Sequence, residues 1–280
     1  MGQCYAALNF LAYKPYQIMQ ATLNIAIEAA RQAGKIIFRN MSRVHSLNIK
    51  TKEKNDFVSE VDLQAEQEII NVIHRVYPQH GILAEESGSR NSGNNDEYQW
   101  IIDPLDGTTN FLHGFPHYSV SIALKHKDRL EVAVIYDPFK DELFCAGRGN
   151  GASLNDRKIR VSKLPSFDGA LLATGFPYKE NQNIDTYLAS LKDIMLQTSG
   201  IRRAGSAALD LAYVGAGRVD GFWEFGLNTW DLAAGCLIVQ EAGGLVGDPK
   251  GGNSHLESGN IVAANAKIFK QILQSLNKAN

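Results

Sequence analysis

Asp103 and Asp106 stand in the run Trp100-Ile-Ile-Asp103-Pro104-Leu105-Asp106-Gly107-Thr108-Thr109-Asn110. The apolar start reads as a buried strand, Pro104 and Gly107 punctuate its end, and hydroxyls follow directly. Two acids at a strand end, beside small residues that expose backbone amides, suit a hard cation held against a phosphate. A capped turn is the plainer reading, with Asp106 starting the next helix. It leaves Asp103 without a partner at the end of a buried strand.

Other acids extend the pattern. Glu85-Glu86 closes the short apolar stretch Gly81-Ile-Leu-Ala84, and adjacent strands would bring it beside Asp103. Taken alone, it reads equally well as a solvated loop edge. Three carboxylates brought together need a compensating cation, because unpaired charges at that spacing are costly. Asp231 follows Trp230 at the start of an apolar, small-residue helix, where an N-cap role and a ligand role can coexist. Asp62 pairs with Ser59 in a capping-box-like start. Thr108 either orients a water or simply exposes its hydroxyl in a first helical turn.

Weaker signals come from His113 and His117, which Pro116 keeps off a common helix. Lys50, Lys52, Lys54 and Arg202-Arg203 read as solvated charge. Gly243-Gly244 and Gly251-Gly252 lack the surroundings of a nucleotide fingerprint.

These residues must be held by the elements around them. Leu23, Ile27, Ala30, Gly34 and Ile37 predict an amphipathic helix over about 20–40. Lys50–Asn55 is expected as a charged mobile loop, followed by a helix from Ser59 towards Pro78. A strand over 81–84, a polar loop over 87–99 and a strand into Asp103 come next. Segments 119–124, 131–136 and 142–146 alternate as half-buried antiparallel strands, with Asp137-Pro138 at a turn. Beyond 155, helical patterns near 185–199, 206–216, 231–242 and 266–277 alternate with strands near 170–174, 201–203, 219–225, 244–247 and 260–264. The fold class is therefore α/β, with an α+β half over 19–154 and an α/β half over 155–280 sharing an interface and a site.

Bulk properties bound the alternatives. The 280 residues, 44% of them hydrophobic, can bury a sizeable core. A formal charge of -2 argues against a dedicated nucleic-acid surface. Cys4, Cys145 and Cys236 are too scattered for a disulfide framework, so a reducing cytoplasm is expected. No apolar run has the length of a membrane span. Met1–Tyr16 lacks the basic lead and continuous apolar run of a signal peptide. Residues 1–18 are expected as an N-terminal extension, poorly ordered or loosely docked.

Together, Asp56–Asp62, Gly81–Gly88, Trp100–Asn110, Gly205–Tyr213, Gly217–Phe222 and Trp230–Gly244 resemble the inositol monophosphatase family, the bacterial inositol-1-monophosphatases in particular. The resemblance runs in order over about residues 19–276. It implies a layered αβαβα sandwich of the inositol monophosphatase/fructose-1,6-bisphosphatase type, usually a homodimer, that hydrolyses phosphate monoesters with two to three Mg²⁺ ions and is inhibited by lithium. Glu85, Asp103 and the Leu105 carbonyl would hold one ion, and Asp103, Asp106 and Asp231 a second. A third would use Glu85 and waters near Asp62.

The amides of Gly107 and Thr108 would take the phosphate, and Ala207 and Glu224 would contact a polyol. Glu85 with the Thr108–Asp62 pair would orient the attacking water. The lysine-bearing loop of the family does not align unambiguously with Lys50, Lys52 and Asp56. The resemblance leaves other small phosphates open as substrates: fructose bisphosphate, phosphoadenosine phosphate, NADP or histidinol phosphate. It also implies RNA polymerase and antitermination factors as partners, since some similar bacterial proteins work in ribosomal RNA transcription.

Overall fold

The computed structural model describes the backbone of residues 2–47, 49–53, 56–90, 97–177 and 184–279, and the side chains of 19–44, 47, 58–90, 97–177 and 184–278. The chain opens with α1 (Gly2–Asn40), a 3-10 turn over Met41–Ser46, the hairpin β1 (Ile49–Glu53) and β2 (Asp56–Ser59), and α2 (Glu60–Val76). Then come β3 (Gly81–Ala84), β4 (Gly88–Arg90), β5 (Tyr98–Asp106), α3 (Thr108–Leu112), β6 (Ser119–His126), β7 (Arg129–Asp137), β8 (Glu142–Gly147), β9 (Gly151–Leu154) and β10 (Arg157–Lys158). The remainder forms β11 (Leu171–Thr174), α4 (Ile184–Met195), β12 (Gly200–Arg202), α5 (Ala207–Gly215) and β13 (Gly221–Glu224). It closes with α6 (Thr229–Glu241), β14 (Leu245–Gly247), α7 (His255–Ser258), β15 (Ile261–Ala264) and α8 (Ala266–Ala279).

Two large sheets result. One has eight strands in the order β10-β9-β8-β7-β6-β5-β3-β4; the other has five, β12-β11-β13-β15-β14. Strand alternation sends neighbouring residues to opposite layers. Ile102, Ile122 and Val134 pack under Ala30, Ile37 and Ile69 of α1 and α2. Ile101, Ala123 and Ile135 face Leu211 of α5 and Leu232 and Ile238 of α6. Those two helices also cover Ala173, Phe222 and Ala263 of the small sheet. Its far face, with Leu172, Trp223 and Val262, packs on Tyr187 of α4 and Ile268 of α8. The layers run α, β, α, β, α, as expected. Sandwiched between two sheets, α6 is buried continuously from Leu232 to Val239, which explains its apolar character all round.

Three local expectations differ. The first helix begins at Gly2 rather than near residue 20; helix formers such as Ala6, Ala7 and Leu8 carry the backbone on without an apolar stripe to mark it. How residues 1–18 dock turns on side chains outside the described residues. Ile49–Glu53 is a strand paired antiparallel with β2, where a loop was expected; its Lys-Thr-Lys-Glu content hides it from a hydrophobic reading. Gly88–Arg90 also pairs, as an edge strand on β3. No helix among the described residues is long and apolar enough to cross a membrane.

Candidate active site

β3 and β5 are parallel neighbours, with Ala84 opposite Ile102. The next step along each strand sets Glu85 beside Asp103, and the Glu85 amide donates to the Ile102 carbonyl at 3.1 Å. At this end β5 departs from regular pairing: Asp103 lies opposite Ser121, yet Asp106 lies opposite Ser119. Three steps on one strand match two on the other, a bulge containing Pro104, which has no N–H to pair. Ile102 and Leu105 both enter the core beneath α1 and α2. Asp103 and Asp106 therefore both turn towards α6, where Asp231 is the third residue and accepts from the Asn228 amide at 2.7 Å.

Hydrogen bonds fix Asp103 within its own strand and tie Asp106 to the start of α5. Leu105 N donates to Asp103 Oδ1 at 3.0 Å, while Ser206 Oγ and Ala208 N donate to Asp106 Oδ2 at 2.6 and 2.7 Å. Burial, then Glu85, Asp106 and Asp231, raise the Asp103 carboxyl well above the usual carboxylate range. Burial and Asp106 raise Asp231 similarly, against the Asn228 amide. Asp106 is pushed up to about 6, chiefly by burial, with Ser206 and Ala208 opposing. These four acids share one electrostatic neighbourhood. Among the described residues, however, no three of His, Cys, Asp or Glu are drawn into a closed ligand group. The Glu85 and Asp103 carboxyls are close enough to share a side-chain hydrogen bond, while Asp106 and Asp231 are held by the donors above. Carboxylates with the Leu105 carbonyl make an all-oxygen donor set, which fits a hard divalent cation better than zinc.

Thr108 Oγ1 lies 2.8 Å from Asp62 Oδ1 and 3.0 Å from the Leu105 carbonyl. The other oxygen of Asp62 accepts from Ser59 Oγ at 2.5 Å and Ser59 N at 2.9 Å. Asp62 thus caps α2 with one oxygen and faces Thr108 with the other. Burial raises its pKa, with Ser59 and Thr108 opposing. Gly107 has φ of +98°, and a Cβ there would come within 3.0 Å of the His117 carbonyl, so glycine is required.

The model of the inositol monophosphatase family matches residues 18–280. The chain belongs to that family. It is 55% identical over 261 residues to the Nus factor SuhB of Pseudomonas aeruginosa, covering 92% of this chain and 96% of that protein. The crystal structure of extragenic suppressor protein suhB from Bartonella henselae superposes with a TM-score of 0.89 at 46% identity, covering 92% and 99% of the two chains. The inositol monophosphatase from Anabaena gives 0.82 at 42% identity, covering 92% and 96%. The layered sandwich is thus of the inositol monophosphatase/fructose-1,6-bisphosphatase type, and membership supports phosphatase chemistry.

In this member of the family, Ala207 opens α5 and Glu224 ends β13. Glu224 lies close enough to raise the pKa of Asp231 and of Asp210. Asp210 is a buried acid that motif reading missed, although a charge inside the apolar 206–216 pattern was its signal. Ser206 and Asn110 were missed too. Asn110 Nδ2 donates to the carbonyls of His117 at 2.7 Å and Ala204 at 2.9 Å, tying the Gly107–Thr108 corner to the turn before α5. His113 is exposed, whereas His117 is buried, its pKa lowered to about 4 by burial and Lys140. The side chains of Lys50, Lys52, Lys54 and Asp56 lie outside the described residues.

Proposed function

We propose that this chain is a Mg²⁺-dependent phosphate monoester hydrolase acting on a phosphorylated polyol of the inositol-1-phosphate kind, as a homodimer. The observation that carries the reading is the parallel β3–β5 register beside the β5 bulge, which gathers Glu85, Asp103 and Asp106 opposite Asp231. Glu85, Asp103, the Leu105 carbonyl, Asp106 and Asp231 would hold two to three cations. When bound, Mg²⁺ polarises the phosphoryl oxygens and makes water a better nucleophile.

The chain's own groups do the rest. Thr108, aligned by Asp62, orients the attacking water, and Glu85 receives its proton. The amides of Gly107 and Thr108 take phosphate oxygens, a positioning and electrostatic task of the kind that dominates phosphoryl transfer. Asp106 and Asp231 border the phosphate, while Ala207 and Glu224 contact the polyol. The test is a panel of phosphate esters with and without Mg²⁺, repeated with Li⁺. Mg²⁺-dependent release of phosphate from inositol 1-phosphate supports the reading; a strong preference for a nucleotide 3′-phosphate overturns the substrate class.

A second reading is favoured by the name of the Pseudomonas relative, Nus factor SuhB. On it, the chain binds RNA polymerase or its elongation and antitermination factors. Pull-down with purified polymerase and those factors, using wild type and Asp103→Asn, tests it. Capture by both forms supports a non-catalytic partner role, and capture by neither removes it.

A further inference from the structure

Gly175 directly follows β11, which runs parallel to β13 with Thr174 opposite Trp223. That register carries Gly175 alongside Glu224. A methyl group at 175 would stand 1.8 Å from Glu224 Oε1, 1.9 Å from its carboxyl carbon and 2.3 Å from Oε2. Gly175 is not among the glycines with positive φ, so its backbone needs no special freedom. Space is what the position demands.

The surroundings decide what yields. Thr174 Oγ1 lies 2.8 Å from the Trp223 carbonyl and 3.0 Å from the Tyr187 hydroxyl, pinning the end of β11. On the other side, the Phe176 ring meets Tyr187 edge-on and lies under the Arg203 guanidinium, 5.4 Å from its carbon. The strand cannot easily slide. What an added methyl meets is the tip of one flexible side chain, so the fold survives and the carboxylate moves.

We propose that Gly175 is a positioning residue that seats the Glu224 carboxylate and thereby sets the preference for hydroxyl-bearing phosphate esters; this rests on the reading of Glu224 as the acceptor of a substrate hydroxyl. A seated carboxylate receives a ring hydroxyl of the substrate. A displaced one leaves that hydroxyl unpaired, and the loss falls on the polyol end of the substrate rather than on the phosphate.

The experiment compares Gly175→Ala, Glu224→Ala and the double variant with wild type, using inositol 1-phosphate and phenyl phosphate, which has no hydroxyl. Gly175→Ala should lower kcat/KM for inositol 1-phosphate about tenfold, through KM, the scale of one charge-assisted hydrogen bond. With phenyl phosphate it should stay within about twofold of wild type, and in the Glu224→Ala background it should add nothing. Equal loss on both esters, or a further loss in the Glu224→Ala background, overturns the proposal. A crystal structure of Gly175→Ala reads the seat independently of turnover: an unmoved carboxylate overturns the proposal outright. A displaced carboxylate with undiminished polyol turnover overturns instead the role given to Glu224.

Discussion

Asp103 lies buried at the end of an apolar strand, with three other carboxylates around it, and its ionised form is uphill until positive charge arrives. Asp103→Asn keeps the shape and the Leu105 amide contact while removing the charge. Turnover should fall by roughly a thousandfold or more, the scale at which charge stabilisation acts in phosphoryl transfer. The melting temperature measured in chelator should hold or rise, because a repulsion has gone. Undiminished turnover would sink the catalytic reading. Asp106 makes a second prediction. Its folded pKa of about 6 lies above the ordinary carboxylate value, so the folded form keeps its proton longer than the unfolded one. In chelator, the contribution of this group to stability is therefore fully present below the ordinary carboxylate pKa and is lost as pH rises through about 6, a few kcal/mol in all. Thermal unfolding from pH 4 to pH 8 should show that fall, and added Mg²⁺ should remove it.

At the scale of elements, the corner from β5 into α3 is held by Asn110 rather than by helix propensity. Asn110→Ala leaves the His117 and Ala204 carbonyls without their donor, which should cost about 1–3 kcal/mol in denaturant unfolding and lower kcat as the two halves of the site loosen. This corner also marks what the sequence could and could not say. Trp100–Asn110 was legible because strand, acids, turn and hydroxyls are contiguous. The Ser206–Asp106 bond was not, since its partners are 100 positions apart and a serine before a helix looks like an ordinary cap. Glu85 was half legible: a strand end that an adjacent strand would set beside Asp103 could be read, the residue-by-residue register that does so could not. β1 escaped notice because backbone pairing, not an apolar pattern, makes it a strand.

For the whole molecule, the helix–strand alternation beyond residue 155 was legible in the change of rhythm and the five layers came only from the family resemblance, whereas strand order was not legible, because β3 pairs with β5 across an intervening excursion through β4. The central helical layer is tight. A Cβ on Gly235 of α6 would come within 2.5 Å of Leu211 on α5, so Gly235→Ala should cost about 1–3 kcal/mol and melt several degrees lower. Since α5 carries Ala207 and α6 carries Asp231, activity at saturating Mg²⁺ should fall with it. An unchanged melting temperature would place the tight contact elsewhere.

The bulge in β5 has one more consequence. In an unbroken ladder, residues an odd number of positions apart look in opposite directions. Asp103 and Asp106 share a side only because a surplus residue intervenes. Adding one residue to β6 between Ser119 and Ser121 would match the surplus, restore even pairing and swing the second acid through to the far side of the sheet, beneath the first two helices. Every proposed ligand would survive in the gene, and the centre would be lost by a change of parity.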